Sequence, residues 1–243
     1  MNPETISNII FNYSYLQIYA LTFLYFSLLY FGLAPIFLWL CKYLNRINIL
    51  HRIVAKKATR EQVKFEKKYS LLSIFVFGFS SFPVIYAIRE DIITLIPDSP
   101  LNVLLGVLLL NVWNEIHFYS VHRMMHIPFF MKYVHKIHHK SKVPTVYSVY
   151  SFHWFEAFLL STVPITLVPF IPFSPVAIAL YPLASIMINY AGHCNYRFGN
   201  GNGPSWKLLG TNHNNHHYRF SDNYSFAVDL LDKLSKYLQK NKK

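Results

Sequence analysis

Residues 14–41 (SYLQIYALTFLYFSLLYFGLAPIFLWLC) contain no charged side chain. About 20 apolar residues cross the hydrocarbon core of a bilayer, and a helix can do so because it satisfies its own backbone hydrogen bonds. So long an uncharged run in a chain of 243 residues points to a membrane protein. Residues 70–88 read as a second span. Residues 100–114 open a third, which runs on into a histidine-bearing stretch. Residues 157–191 are also uncharged, but Pro164, Pro169, Pro172 and Pro175 interrupt them; two short helices forming a hairpin are expected there. The first apolar run is too long for a signal-peptide core and no basic residue precedes it, so a retained helix is expected. The expected architecture is all-α: a single domain over 1–243 with four to five transmembrane or re-entrant helices.

The formal charge is +12, yet only 14% of residues are charged. Nine of the basic residues (Lys42, Arg46, Arg52, Lys56, Lys57, Arg60, Lys64, Lys67 and Lys68) lie in 42–69, against Glu61 and Glu66. Segments 1–13 and 89–99 together hold one Arg and four acids. Basic residues between spans orient a protein and touch anionic lipid, so the 42–69 loop is expected in the cytoplasm, the N-terminus outside, and no nucleic-acid partner. Two cysteines, Cys41 and Cys194, do not make a disulfide framework.

The histidines are spaced far from evenly. His122 and His126 form HxxxH; His135, His138 and His139 form HxxHH; His193 stands alone in AGHCN; His213, His216 and His217 repeat HxxHH. On an α-helix, positions i, i+3 and i+4 fall within an arc of about 100°, so each box would present its imidazoles on one face. Nine candidate ligands exceed what one ion can use but suit two. Imidazole accepts Fe, Zn, Cu or Ni. There is no CxxC for structural zinc, no Glu-x-x-His pair of the carboxylate-rich diiron type, no HExxH and no GxSxG. Glu115 (seven residues before His122), Glu156 and Asp222 are candidates to orient ring nitrogens, or else to pair with Arg123 or a lysine. His51 and His117 read as bystanders: the first is alone in a basic loop, the second about 140° around its helix from His122. Arg123, Lys132, Lys136, Lys140 and Lys142 surround the boxes, which puts the histidine-rich helical cap on the cytoplasmic side.

At these boxes the chain resembles the fatty acid hydroxylase superfamily, which includes sterol desaturases, sterol methyl oxidases and lipid hydroxylases, over about residues 60–234. Glu115-I-H-F-Tyr119-S-V-His122-Arg123-M-M-His126 is similar to the family's acid…Tyr…HRxxH segment. His135–Ser141 leads to Thr145 and to His153-W-F-Glu156, where Trp154 replaces a Pro. His213–His217 leads to Phe220 and Asn223-Tyr224, with Ser225 in place of Gly and Leu231-Asp232 in place of Trp-Asp. Asn189 stands four residues before His193, where some relatives have a paired histidine.

The resemblance implies two non-haem iron ions, dioxygen as co-substrate, and hydroxylation or desaturation of a sterol or fatty acyl chain. It implies a separate electron donor, cytochrome b5-like or ferredoxin-like, and a bacterial inner membrane or endoplasmic reticulum as host. It also adds Asn189, His153 and Tyr119 to Glu115, Glu156 and Asp222 as residues around the metals, bonded to a ring or acting through water. The aromatic residues, 18% of the chain, could line a tunnel for the lipid. Two other readings start from the same histidines: a metal-binding or metal-transport protein without redox chemistry, whose ligands would lie along the spans, and a haem protein, whose histidines would face one another across spans.

Overall fold

A computed structural model describes residues 3–198, 210–219, 223–227 and 229–241; Asp222 and Phe220 lie outside the described residues. Four helical stretches are long and apolar enough to cross a bilayer: Tyr15–Arg46, Arg60–Arg89, Pro100–Met125 and Pro175–His193.

A short helix α1 (Pro3–Asn12) precedes the first span. That span is α2 (Tyr15–Ser27), a single π turn (Leu28–Gly32) and α3 (Leu33–Arg46). Ser14 and Gln17 cap α2 reciprocally, satisfying two amides that would otherwise lack partners at the helix start. Pro35 has no N–H to return to the preceding turn, and the wide π turn lies where that bond is missing.

The second span is α4 (Arg60–Phe77) and α5 (Phe82–Arg89). Because α3 runs to Arg46 and α4 begins at Arg60, the basic segment 42–69 is not one loop. Lys42, Arg46 and Arg60–Lys68 sit on helix ends, which leaves 47–59 as the connection. Within it β1 (Leu50–Arg52) pairs antiparallel with β2 (Tyr196–Phe198), the one sheet among the described residues. Three residues per strand give no legible alternation.

The third span, α6 (Pro100–Met125), starts with Ser99 as cap and Pro100 at its first position, where a missing N–H costs nothing. Leu101, Leu104, Leu105, Leu108 and Val112 face outward and exposed, as lipid contact requires, while Gly106, Leu110, Asn114, Phe118 and His122 form a buried stripe at four-residue spacing. This stripe packs on α9 (Pro175–His193). A Cβ on Gly106 would come within 2.6 Å of the Ala177 Cβ, so glycine there lets the two helices approach.

After α6 come α7 (Pro128–Tyr133), a 3₁₀ turn over His135–Lys140, another over Val146–Ser148, and α8 (Trp154–Ser161). Two helices lie in 157–191 as expected, but only the first is short. The eight residues of α8 reach about 12 Å, whereas the 19 of α9 reach about 28 Å. Pro164, Pro169 and Pro172 fall in the intervening turns, while Pro175 starts α9 rather than interrupting it. Part of the irregular stretch is covered by protein, as non-helical backbone between spans requires. Val163, Leu167 and Val168 are in the core, and the hydroxyls of Thr162 and Thr166 bond His117 and Trp113 of α6.

Two further helices, α10 (Thr211–Arg219) and α11 (Leu230–Lys240), complete the chain. The C-terminal ends of α3, α6 and α9 and the N-terminal end of α4 meet at one end of the bundle, where the histidine boxes are gathered.

Candidate metal centre

The nine histidines of the boxes and His193 form two groups. His122, His126, His135, His139 and His216 make one; His138, His193, His213 and His217 make the other; within each, the ligand atoms lie within 4.8 Å of one another. Four segments supply them. The end of α6 brings His122 and His126, the 3₁₀ turn brings the second box, the last residue of α9 is His193, and α10 carries the third box. Gly210, at φ +71°, starts α10 in a conformation that glycine tolerates, and a Cβ there would lie 2.3 Å from the Ala191 backbone. That approach seats His213 beside Gly192 at the end of α9.

Two expectations need correction. The second box is a 3₁₀ turn, not an α-helix, with about three residues per turn. And neither HxxHH box keeps to one centre. The second sends its first and last histidines (His135, His139) to the five-histidine group and its middle one (His138) to the other. The third does the reverse: His213 and His217 go to the four-histidine group and His216 to the five. The two centres are therefore cross-braced by the same short helices.

The nitrogens converge without protons to share. Nε2 of His216 lies 3.0 Å from that of His126 and 3.2 Å from that of His139; His126 and His139 are 3.3 Å apart. In the other group His193 Nε2 lies 3.3 Å from His213 Nε2 and 3.5 Å from His138 Nε2. Burial, followed by the charge of neighbouring imidazoles, holds His138, His213 and His217 well below the usual histidine range. The same causes push His126 down to about 3. Ring nitrogens 3.0–3.5 Å apart match the ligand spacing around an ion with metal–nitrogen bonds of about 2.1 Å. The residues present therefore fit a metal ion in each group.

Three of the opposite ring nitrogens are fixed from outside, as is usual for metal ligands. His135 Nδ1 donates to Glu156 Oε1 at 2.7 Å, His122 Nδ1 to the Tyr224 carbonyl at 2.8 Å, and His193 Nδ1 to the Asn189 carbonyl at 2.9 Å. Each leaves Nε2 turned inward. Glu115 supports the site through the backbone: its carboxylate accepts from the amides of Phe226 and Ala227 at 2.9 and 2.8 Å. Asp232, which motif reading passed over as a site residue, accepts from the amides of Tyr224 and Ser225, both at 3.0 Å. These two acids clamp the 224–227 loop from either side and so place the carbonyl that orients His122. The Tyr-x₇-Asp spacing in the closing motif is the signal that could have found Asp232.

The side chains of the other sequence candidates bond elsewhere. His153 caps α8 by accepting from the Phe155 amide at 3.2 Å, which sets the turn carrying Glu156. Tyr119 accepts from Arg123 on the outer side of α6. His117 bonds Thr162, and His51 lies in β1 opposite Arg197. Asn189 donates to the Val149 carbonyl at 3.1 Å, while its buried Oδ1 has no hydrogen-bond partner. A further missed residue is Glu66, fully buried near the start of α4. It accepts from Gln62 Nε2 at 2.7 Å and Thr145 Oγ1 at 2.5 Å, tying that span to the segment after the second box.

A family model described as fatty acid hydroxylase matches residues 107–237, from within α6 to within α11, and covers more than half of the chain. The chain belongs to the fatty acid hydroxylase family. The matched region holds all nine histidines and the Glu115, Glu156 and Asp232 that support them. No solved structure matches the chain. As a fatty acid hydroxylase family member with four apolar spans, it is an integral membrane protein of oxygenase type.

Proposed function

We propose that this protein is a lipid oxygenase holding two iron ions, one in each histidine group, and that it hydroxylates or desaturates a sterol or fatty acyl chain with dioxygen. The observation that carries the reading is the convergence of nine imidazole nitrogens into two adjacent groups at one end of the spans. His122, His126, His135, His139 and His216 would hold one ion, and His138, His193, His213 and His217 the other. Iron in these positions supplies the activation of dioxygen. The chain's residues do the rest: Glu156, the Tyr224 carbonyl and the Asn189 carbonyl fix ring orientation, and burial keeps the nitrogens deprotonated. Asn189 takes the place that His122 has relative to His126, four residues back on the same helix face. Its unpartnered Oδ1 fits a bond to the second ion or to a water on it.

Electrons come from a separate protein, cytochrome b5-like or ferredoxin-like. The basic residues at the ends of α3 and α4 support a cytoplasmic histidine end, in a bacterial inner membrane or an endoplasmic reticulum. The ligands cluster beyond one end of the spans, whereas a transport route would string them along the interior.

The test is lipid mass spectrometry of cells with and without the protein, paired with metal analysis of protein purified without chelators. Gain of one oxygen atom or loss of two hydrogens in a lipid, dependent on Fe(II), dioxygen and reductant, is expected. Full activity under strict anaerobiosis would refute the proposal.

A further inference from the structure

On the outer side of α6 a cleft of about 340 Å³ runs between its last turns and α11, lined by Tyr119, Arg123, Leu231, Leu234, Ser235 and Leu238. One wall is leucine; the other carries a single cation. Arg123 is held in place by two bonds from the same nitrogen: Nη1 donates to Tyr119 Oη at 2.9 Å and to Ser235 Oγ at 2.6 Å. Its Nε–Nη2 edge has no acceptor among the described residues. That edge presents the paired N–H groups with which guanidinium grips an anion's two oxygens. Among the described residues the nearby carboxylates are already engaged. Glu115 and Asp232 are engaged with backbone amides, and Asp229 pairs with Lys233 at 3.0 Å.

The surroundings say what kind of anion would enter. Leu230, Leu234, Tyr237 and Leu238 of α11 are exposed, and Lys233, Lys236 and Lys240 flank this apolar face along one edge. A helix with that division lies at a membrane surface with its lysines toward anionic head groups. The exposed Val112 and Ile116 of α6 continue the apolar path into the spans. Arg123 lies three residues before His126, on the same side of α6, and His126 is the one histidine of the two groups that is not fully buried.

From these features we infer that the cleft binds an anionic phospholipid of the surrounding bilayer. Its phosphate sits on the Nε–Nη2 edge of Arg123 and the start of an acyl chain lies against Leu231, Leu234 and Leu238, beside the five-histidine centre. The volume suits a head group and part of a chain; the remainder stays in the bilayer. This site does not depend on which reaction the histidines perform.

The experiment is native mass spectrometry of the full-length protein in neutral detergent, challenged separately with phosphatidylglycerol, phosphatidylcholine, oleate and inorganic phosphate. Thermal unfolding is recorded in parallel. Phosphatidylglycerol should be retained preferentially and should stabilise the protein. Arg123→Gln should weaken retention about tenfold or more, the loss of a charged hydrogen-bonding pair, with Arg123→Lys between. Metal content, read on the same samples, should not change. Leu238→Gln leaves the arginine's bonds intact and should also weaken retention, so the test stands even if Arg123→Gln fails to fold. Equal retention of phosphatidylglycerol by wild type and both the Gln variants would overturn the site. So would equal retention of phosphatidylcholine, a preference for oleate, or full protection by inorganic phosphate alone.

Discussion

The two histidine centres are built from the same boxes but differ in support and in exposure. The five-histidine centre has a carboxylate behind one ring and a doubly clamped carbonyl behind another, and it is open to the outside at His126. In the four-histidine centre every ring is buried. Among the described residues its rings meet one outer partner, a backbone carbonyl, and His138 Nδ1, His213 Nδ1 and both nitrogens of His217 make no hydrogen bond. Carboxylates behind a ring raise its basicity and hold it still. The centre with fewer nitrogens is thus also the one with less behind them, and it should hold its ion less tightly.

The sharpest way to break this contrast is to remove one crossing histidine at a time. Both His138→Ala and His216→Ala should reduce lipid turnover to background. Metal analysis should separate them: His138→Ala leaves three rings in the weaker centre and should retain close to one ion, whereas His216→Ala leaves four in the stronger and should retain more. Identical metal loss in the two would mean that the centres are equivalent.

Next in size are the residues behind the rings. Glu156→Gln should lower metal affinity or activity about 10–100-fold through His135, and titration with a competing chelator should show the loss in the five-histidine centre. Asn189→His should act in the opposite sense on the other centre and strengthen its hold. If Asn189→Leu bound metal as wild type does, Asn189 would be only a helix-packing residue.

Acidification should release metal. His126 is held at about 3 by burial and by His135 and His216, against about 6.5 for an unfolded histidine. Between those values the unfolded chain binds more protons than the folded one, so stability rises with pH across this window. Retained metal should be level above about pH 7 and fall steadily below 6.5, measured after desalting at each pH. A profile that rose on acidification would contradict the burial of neutral rings.

The smallest effects belong outside both centres. His51→Ala and His117→Ala should leave metal content near wild type, although His117 gives up its bond to Thr162. Damage from His51→Ala equal to that from His138→Ala, at equal expression, would mean that box spacing does not select the ligands.

The spans were legible because length and the absence of charge are properties of single segments, and the ligands because imidazoles at three- and four-residue spacing stand out in any sequence. How the ligands divide was not legible. An α-helical reading puts His135, His138 and His139 on one face, but whether a six-residue segment is wound as α or 3₁₀ depends on what packs around it. The roles of Glu66 and Asp232 were hidden for a similar reason. Glu66 sits in a basic stretch and reads as a solvated charge until Thr145, 79 positions away, closes over it. Asp232 opens an amphipathic helix, and only the return of the loop at Tyr224 and Ser225 turns it inward. Pro175 misled in the other direction, since a proline that begins a helix and one that breaks it look alike from sequence.

The exchange of histidines between boxes also bears on the order of events in biosynthesis. A chain emerges from its N-terminus and its parts fold as they appear. By the time α9 has been inserted, four of the five rings of one centre and two of the four of the other are in place. Neither set is complete until α10, which follows all four spans, has docked through Gly210 against the end of α9. A truncated or stalled chain would therefore hold a half-made site, and tight loading of both metals marks a polypeptide that has been made at least as far as His217.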